Sequence, residues 1–296
     1  MTAACEPSPG WPVSDHDPFR TGAGAVWLPR DFVAVEGPDA LKFLQGQLSQ
    51  DLGAMPDGGS SWALLLQPQG KLDAFLRVLR VEETRFVLET DEGFGAKVVD
   101  RLNRFKLRIK ATVEPLAWKC LAVRGPQAHA VAPAANAVAD WPGLPGADLV
   151  GEAPELPAGV PLCALEDYER VRIEAGIPVM GKELDESTIP AEAGIVDQSV
   201  SWTKGCYTGQ ELVARIDSRG GNVPRRLRGV VLPDGADPPP GARVRAAEKD
   251  VGRLTSVAGP VALAYVGRAV TPPAEVTVVW DGGSAPARVE SLPLVS

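Results

Sequence analysis

The sequence contains few of the residues that build the commoner catalytic and metal sites. Its two histidines, His16 and His129, lie in surroundings rich in Pro and Ala, so there is little support for histidine general-base chemistry. The four cysteines are far apart in the chain and form no Cys-x-x-Cys pair: Cys5, Cys120, Cys163 and Cys206. Neither a zinc site nor a disulfide framework is indicated, and we predict no metal site.

Long apolar runs and an excess of positive charge are also missing. No run approaches the length that spans a bilayer, and the start lacks the basic and then apolar layout of a secretion signal, so we expect a cytoplasmic location. The net charge of −8 argues against strong, direct binding of nucleic acid. The basic residues of segment 101–110 form either a local basic patch or the solvated side of a helix and a strand.

The chain has enough length and apolar content for two or three domains, with 296 residues of which 45% are hydrophobic. Residues 1–20 show no periodic apolar pattern and predict a mobile tail. Further on, the patterns predict a strand over 24–35, a helix over 95–105 and a half-exposed strand over 106–113. Together with a hairpin over 62–81, they favour an α+β module with an antiparallel sheet.

The later parts of the chain differ from one another. A strand over 116–123 and a long helix over 165–175, which Gly176 before Pro178 ends, predict a second α+β module. After residue 222, five short strand-like runs alternate with turns that contain Pro and Gly, which is typical of a small β-barrel or sandwich. We therefore predict this division of an α+β chain: tail 1–20, first module 21–113, second module 114–222 and C-terminal β-barrel 223–296.

Segment 202–211, with the sequence WTKGCYTGQE, is the most informative stretch. Gly205 permits a sharp turn that presents Cys206 from a loop, and Thr208 can cap the helix predicted to follow. The start of that helix and the charge of Lys204 both favour thiolate over thiol, which is the form of a reactive cysteine. The alternative is that Cys206 is a small buried hydrophobic residue.

The string KGCYTGQE at 204–211 resembles the signature of the YgfZ family, folate-binding proteins related to the aminomethyltransferase (T-protein) of the glycine cleavage system. A second segment, FLQGQLSQD at 43–51, is similar to another motif of that family. Because a glycine inside a helix costs about 1 kcal/mol relative to alanine, Gly46 predicts that something approaches the backbone there. The resemblance implies two α+β modules and a barrel in a T-protein-like ring around a central cavity.

The hairpin departs from the aminomethyltransferase pattern. In that family a Gly-rich turn is followed by adjacent acidic residues, and the matching positions here are Ala74 and Phe75. Asp73 lies one step away, on the opposite face of a regular strand. Unless the strand register slips, the catalytic carboxylate is missing, which puts aminomethyl transfer in doubt and leaves it uncertain whether the protein is an enzyme.

Segment 170–178, with the sequence RVRIEAGIP, is similar to one shared by T-proteins and YgfZ proteins. In T-proteins, a glutamate at the position of Glu174 grips the pterin ring, and a carboxylate can accept two parallel N–H bonds from an aminopyrimidine edge. The alternative is a structural glutamate, which the dipole at a helix C-terminus would disfavour. The resemblance makes Glu174 a candidate cofactor ligand.

The resemblance implies a folate-binding accessory protein that supports assembly or repair of iron–sulfur enzymes, including tRNA-modifying ones, through a reactive cysteine. Cys206 and Lys204 are the candidate catalytic residues. Tetrahydrofolate or a derivative is the expected cofactor, and its candidate ligands besides Glu174 lie in the two motifs or in the helix predicted to follow Cys206: Gln45, Gln47, Tyr207, Gln210, Glu211 and Arg215.

Two alternatives stay open at this point: aminomethyl transfer to tetrahydrofolate, and a folate-free thiol or binding module on the same fold. The expected partners are folate and iron–sulfur client enzymes, with no membrane. Nothing in the sequence resembles a coiled coil, and we expect a monomer.

Overall fold

The structure is a computed structural model, and it describes residues 17–294. Within that range the chain forms eight helices: α1 (Pro18–Thr21), α2 (Ala40–Gln47), α3 (Gly95–Phe105), α4 (Ala128–Val131), α5 (Leu165–Ala175), α6 (Pro190–Ala193), α7 (Val196–Ser199) and α8 (Gln210–Ser218). None of these described helices is long and apolar enough to cross a membrane.

The strands form two open sheets and one barrel, and all their ladders are antiparallel. In chain order, the described strands are β1 (Gly24–Leu28), β2 (Arg30–Glu36), β3 (Ser60–Leu66), β4 (Leu72–Glu82), β5 (Arg85–Asp91), β6 (Thr112–Leu116), β7 (Lys119–Arg124), β8 (Ala137–Val138), β9 (Gly146–Gly151), β10 (Arg225–Val231), β11 (Arg243–Ala246), β12 (Lys249–Ala258), β13 (Val261–Gly267), β14 (Ala274–Trp280) and β15 (Gly283–Glu290).

The first sheet has the strand order β3-β4-β5-β2-β6 and carries α2 and α3 on one face. The hairpin predicted from the turn at 67–71 is formed by β3 and β4, and the predicted helix over 95–105 is α3. Val98 and Leu102 of α3 are buried against the sheet, as the helical spacing predicts. This layer holds the FLQGQLSQD segment, which lies in and just after α2.

The second sheet has the order β1-β7-β9-β8 and packs against the first through a shared core that also includes α5. The strand predicted over 24–35 is therefore two strands, because Pro29 interrupts it and β1 and β2 join different sheets. Proline has no N–H to donate to a ladder, which suits this break.

The C-terminal strands close into a six-stranded barrel in the order β10-β13-β12-β11-β14-β15. A core of alternating apolar residues fills it, and Val230, Val244 and Val278 are among its fully buried members. Closure removes exposed strand edges, so short strands are sufficient. The predicted α+β fold class with antiparallel sheets and a C-terminal barrel is confirmed.

Two local predictions differ from the structure. The strand predicted over 106–113 begins only at Thr112, because Arg108 adopts a left-handed φ of 59° that breaks an extended chain, and Leu107 is exposed. Residues 1–16 of the predicted mobile tail lie outside the described residues, but Phe19 in α1 is buried. The predicted boundaries at 113 and 222 stay predictions, and β6 spans the first of them.

A third core joins the first sheet, α5, the segment 180–213 and the barrel. Leu64 and Phe75 contribute from the sheet, Val213 from α8, and Leu263 from β13. This core fixes the segment that leads into and out of Cys206 against both neighbours.

Candidate functional site

Cys206 lies in the loop of residues 200–209 between α7 and α8, called here the Cys206 loop, and it is exposed. The predicted turn glycine is the wrong one: Gly205 has no left-handed φ, and a Cβ there would touch nothing within 4 Å. Gly209 has the left-handed φ of 83°, and a Cβ on it would lie 2.5 Å from the carbonyl oxygen of Gln67. The close approach of the β3–β4 turn therefore requires glycine at 209.

The predicted cap of α8 is also corrected. Gly209 occupies the N-cap position and the Thr208 side chain makes no capping bond. Instead, the side-chain oxygen of Gln210 accepts from the main-chain N–H of Tyr207 at 3.2 Å. The first turn of α8 is thus tied to the residue after Cys206.

The Lys204 ammonium lies at the C-terminal end of α2. Its Nζ donates to the main-chain oxygens of Gln45 at 2.8 Å, Leu48 at 2.6 Å and Gln50 at 3.0 Å, called here the carbonyl site. The last carbonyls of a helix have no partner within the helix, so a cation there satisfies them. Burial lowers the pKa of Lys204 to about 8, and the Asp51 carboxylate opposes this shift.

Further hydrogen bonds, from the main chain and from the Ser49 hydroxyl, join the two motifs and their flanking residues. The N–H of Thr208 donates to the carbonyl oxygen of Gly46 at 3.2 Å. A Cβ at Gly46 would meet nothing within 4 Å, so this contact does not require the glycine from which an approach to the backbone was predicted. Buried Ser49 donates to the carbonyl of Ser199 at 2.5 Å and accepts from the N–H of Leu64 at 2.8 Å. The two sequence motifs form one structural unit around the Cys206 loop.

Gln45 and Gln47, predicted to bind folate, already have partners within the protein. Gln45 donates to Asp51 at 2.6 Å and accepts from the N–H of Leu52 at 2.9 Å. Gln47 accepts from Arg101 at 3.1 Å. Both amides therefore order the end of α2 and its contact with α3.

The other predicted ligands near Cys206 differ in exposure. Tyr207 is half-buried, and burial raises its pKa to about 12. Glu211 and Arg215 lie exposed on α8. Their predicted roles in binding stay predictions.

Glu174 is buried at the end of α5, which Gly176 terminates with a left-handed φ of 74°, as predicted. One carboxylate oxygen, Oε1, accepts from both Arg20 of α1 and Arg170, the latter at 3.3 Å. The carbonyl oxygen of Glu174 accepts from the N–H of Leu294 at 2.7 Å. Two guanidinium groups therefore compensate the acid where the helix dipole disfavours it.

Four cavities of about 160, 190, 300 and 720 Å³ open among the described residues. None of the four is lined by a residue predicted for the site, and Cys206 and Glu174 do not share one of them. The roomiest lies between the β3–β4 turn and α3, where Gln67, Asp73 and Phe105 line it.

Asp73 owes its position to a slip of strand register that the regular pattern did not predict. Leu65 pairs with Ala74 and Leu66 with Leu72, so Asp73 has no partner in the β3–β4 ladder. It is buried and accepts from Nε of Arg101 at 2.9 Å. A β-bulge re-aims the residues around it, and here it turns a carboxylate towards α3.

The two positions that match the acidic pair of T-proteins are filled by core residues on opposite faces of the first sheet. Ala74 packs under α2 and α3, and Phe75 stacks on Trp62 with ring centroids 4.9 Å apart. Apolar packing at these positions explains why an acid is not found there.

Comparisons with known proteins agree with this architecture. Residues 31–142 match the GCVT N-terminal domain, and residues 225–287 match the CAF17 C-terminal beta-barrel domain. A crystal structure of the glycine cleavage system aminomethyltransferase T from Bartonella henselae superimposes with a TM-score of 0.77 at 23% identity, covering 94% of this chain and 87% of that one. That likeness shows the fold.

Sequence relatives are more specific. The mitochondrial iron-sulfur cluster assembly factor IBA57 of Homo sapiens is 32% identical over 281 residues, covering 82% of this chain and 78% of that protein. The tRNA-modifying protein YgfZ of Edwardsiella ictaluri is 31% identical over 246 residues, covering 71% and 70%. With both α+β sheets, the barrel and the two motifs in place, the chain belongs to the family of YgfZ and IBA57, proteins with the T-protein fold.

Proposed function

We propose that this protein supports the assembly or repair of iron–sulfur enzymes, including tRNA-modifying ones, and that the thiol of Cys206 carries this role. The observation behind the proposal is an exposed cysteine in a loop that Lys204 and Thr208 join to the second family motif. Relatives named as an iron–sulfur cluster assembly factor and a tRNA-modifying protein support the same role.

The surroundings of Cys206 suit thiol chemistry. An exposed sulfur is accessible to a docked protein, and its thiolate is the form that attacks disulfides and contacts metal centres. The helix α8 begins at Gln210, shortly after Cys206, and a helix start favours negative charge close by. Trp202, with 50% of its surface exposed, gives the same loop an apolar contact for a partner.

We further propose tetrahydrofolate or a derivative as a bound cofactor, because YgfZ proteins and the T-protein fold are related to folate. Glu174 is the residue best suited to a pterin edge, which needs both carboxylate oxygens side by side. In this structure Glu174 does not fit that grip, since Arg20 and Arg170 occupy Oε1. Folate binding at Glu174 therefore requires Arg20 to move, and the thiol role of Cys206 does not depend on it.

Complementation of a strain that lacks its own family member tests the thiol role. We expect Cys206→Ala to fold normally and to lose the rescue of iron–sulfur enzyme activity. Cys163→Ala, which changes a half-buried cysteine outside both motifs, is the matched control and should rescue fully. Full rescue by Cys206→Ala would refute a thiol mechanism.

Calorimetric titration with tetrahydrofolate tests the cofactor separately. Binding that Glu174→Gln weakens supports the pterin role of this acid. No heat and no thermal shift up to millimolar folate would favour a folate-free thiol module on the same fold.

Aminomethyl transfer is a second candidate function, and the position of Asp73 favours it. The register slip places this carboxylate at the wall of the roomiest cavity, where a regular strand would not. An assay with an aminomethylated carrier protein decides between the two functions. Turnover that Asp73→Asn abolishes and that Asp100→Asn, on the same cavity wall, leaves unchanged would establish the transferase.

A further inference from the structure

The Lys204 side chain donates only to main-chain oxygens in the last turn of α2 and in the three residues that follow it. An ammonium group has three N–H donors, and the carbonyl site takes all three at 2.6 to 3.0 Å. No donor of Lys204 is left for a thiolate or for a folate carboxylate. Lys204 is therefore not free for the catalytic role that its place in the sequence suggested.

The carbonyl site selects lysine over arginine. Its three oxygens converge on one nitrogen, and a compact ammonium fits such a point, whereas a guanidinium spreads its donors over a planar fork. The centroid of the Tyr207 ring lies 5.3 Å from Nζ of Lys204. The Lys204 side chain is half-buried. The geometry around Lys204 is specific for the shape of its head group as well as for its charge.

We propose that Lys204 is a positioning residue, which holds the Cys206 loop on the C-terminal end of α2 so that Cys206 is presented in one place. The claim that this placement serves function depends on the proposed thiol role of Cys206. The bond from Thr208 N–H to Gly46 lies on the far side of Cys206 from Lys204, so the sulfur is bracketed by two attachments to the same helix end. Losing the lysine attachment frees one side of the loop.

Hydrogen exchange of the Thr208 amide measures this attachment directly. We expect Lys204→Met and Lys204→Arg each to speed that exchange by about tenfold or more, because the loop opens more often. Lys71→Met, which removes an exposed lysine from the neighbouring β3–β4 turn, is the matched control and should leave it unchanged. Wild-type exchange in Lys204→Arg would overturn the proposal, since charge alone would then suffice.

The pH profile of Cys206 alkylation by iodoacetamide distinguishes positioning from charge. If Lys204 acted by its charge, Lys204→Met would raise the midpoint and Lys204→Arg would restore it. Positioning predicts equal midpoints in the two variants and loss of complementation by both. Retained complementation by Lys204→Arg would contradict it.

Exchange of the Thr208 amide is also measured in Cys206→Ala, with and without Lys204→Met. If the Thr208 amide exchanges faster in the double variant than in Cys206→Ala alone, Lys204 attaches the loop whether or not Cys206 has the proposed thiol role. The attachment by Lys204 and the thiol role of Cys206 are thus tested independently. Unchanged exchange in the double variant refutes the attachment.

Discussion

The C-terminal ends of α2 and α5 carry charged residues of opposite sign. At α2 the ammonium of Lys204 meets three carbonyl oxygens, which is the sign that a helix C-terminus favours. At α5 the carboxylate of Glu174 has the unfavourable sign, and Arg20 and Arg170 compensate it. In both cases the charge is compensated: by carbonyl oxygens of the main chain at α2, and by two arginine side chains at α5.

This difference indicates which residue a ligand could engage. A charge placed with the dipole gains about 0.3–1 kcal/mol and needs no other partner, so Lys204 is explained by structure. A buried acid placed against the dipole persists only with cations beside it, and removing those cations would be costly. Glu174 is therefore the one of the two whose present partner, Arg20, a ligand with N–H donors could replace.

Removing the charge at the α2 end should have the largest effect on stability. Burial opposes the charge of Lys204, but its removal also leaves three carbonyl oxygens without a donor, and we expect this loss to be the larger effect, so that Lys204→Met lowers the free energy of unfolding at pH 7 by about 3 kcal/mol. Urea unfolding checks this, with Lys71→Met as the control. If Lys204→Met lost no more free energy of unfolding than Lys71→Met, the charge of Lys204 would not stabilise the end of α2, and the two helix ends would not differ in the way described.

Elements set by local rules were predictable from the sequence. The apolar spacing in α3 and α5 and the glycine after α5 fixed both helices, because helical packing and termination act within a few residues. The barrel was predictable from short strands and turns for the same reason. The two motifs located the Cys206 loop, with Cys206 exposed as expected of a reactive thiol.

What the sequence did not predict depends on partners distant in the chain. Asp73 is turned towards Arg101 by a slip relative to β3, which no pattern within β4 records. Lys204 finds its carbonyl oxygens more than 150 residues earlier, so its charge was assigned to the nearer sulfur. The position that requires glycine is 209 and not 205, because the β3–β4 turn lies too close to Gly209 for a Cβ.

The glycines of the Cys206 loop give the next largest effect and test what holds the loop against its neighbours. We expect Gly209→Ala to cost about 2 kcal/mol, since it combines a left-handed φ with a Cβ 2.5 Å from the Gln67 oxygen. Gly205→Ala, where a Cβ meets nothing within 4 Å, should be close to neutral. Equal costs in urea unfolding would show that the turn does not constrain Gly209.

A smaller effect is expected at the α5 end. Arg20→Ala should lower the free energy of unfolding by about 1 kcal/mol, because Arg170 still pairs with the acid. It should also strengthen tetrahydrofolate binding by about tenfold, measured by calorimetry, because the ligand no longer competes with Arg20. Arg253→Ala, which removes an exposed arginine from β12 of the barrel, is the control. Weaker folate binding in Arg20→Ala would mean that Arg20 helps to hold the ligand.

The dependence of stability on pH also separates the two helix ends. Burial lowers the pKa of Lys204 from 10.5 to about 8, so between these values the unfolded chain holds a proton that the folded chain has lost. The free energy of unfolding should therefore rise with pH between 8 and 10.5 relative to that of Lys204→Met, and this difference should not depend on pH below that window.

Arg20→Ala is the control for the pH dependence. Guanidinium groups stay charged throughout, so this variant should leave the slope unchanged. The other titrating groups are common to the protein and to Lys204→Met, so they cancel in this comparison, and Tyr207 beside Lys204 stays neutral because burial raises its pKa to about 12. If the free energy of unfolding, relative to that of Lys204→Met, fell with rising pH instead, the folded site would bind the Lys204 proton more tightly than the unfolded chain does.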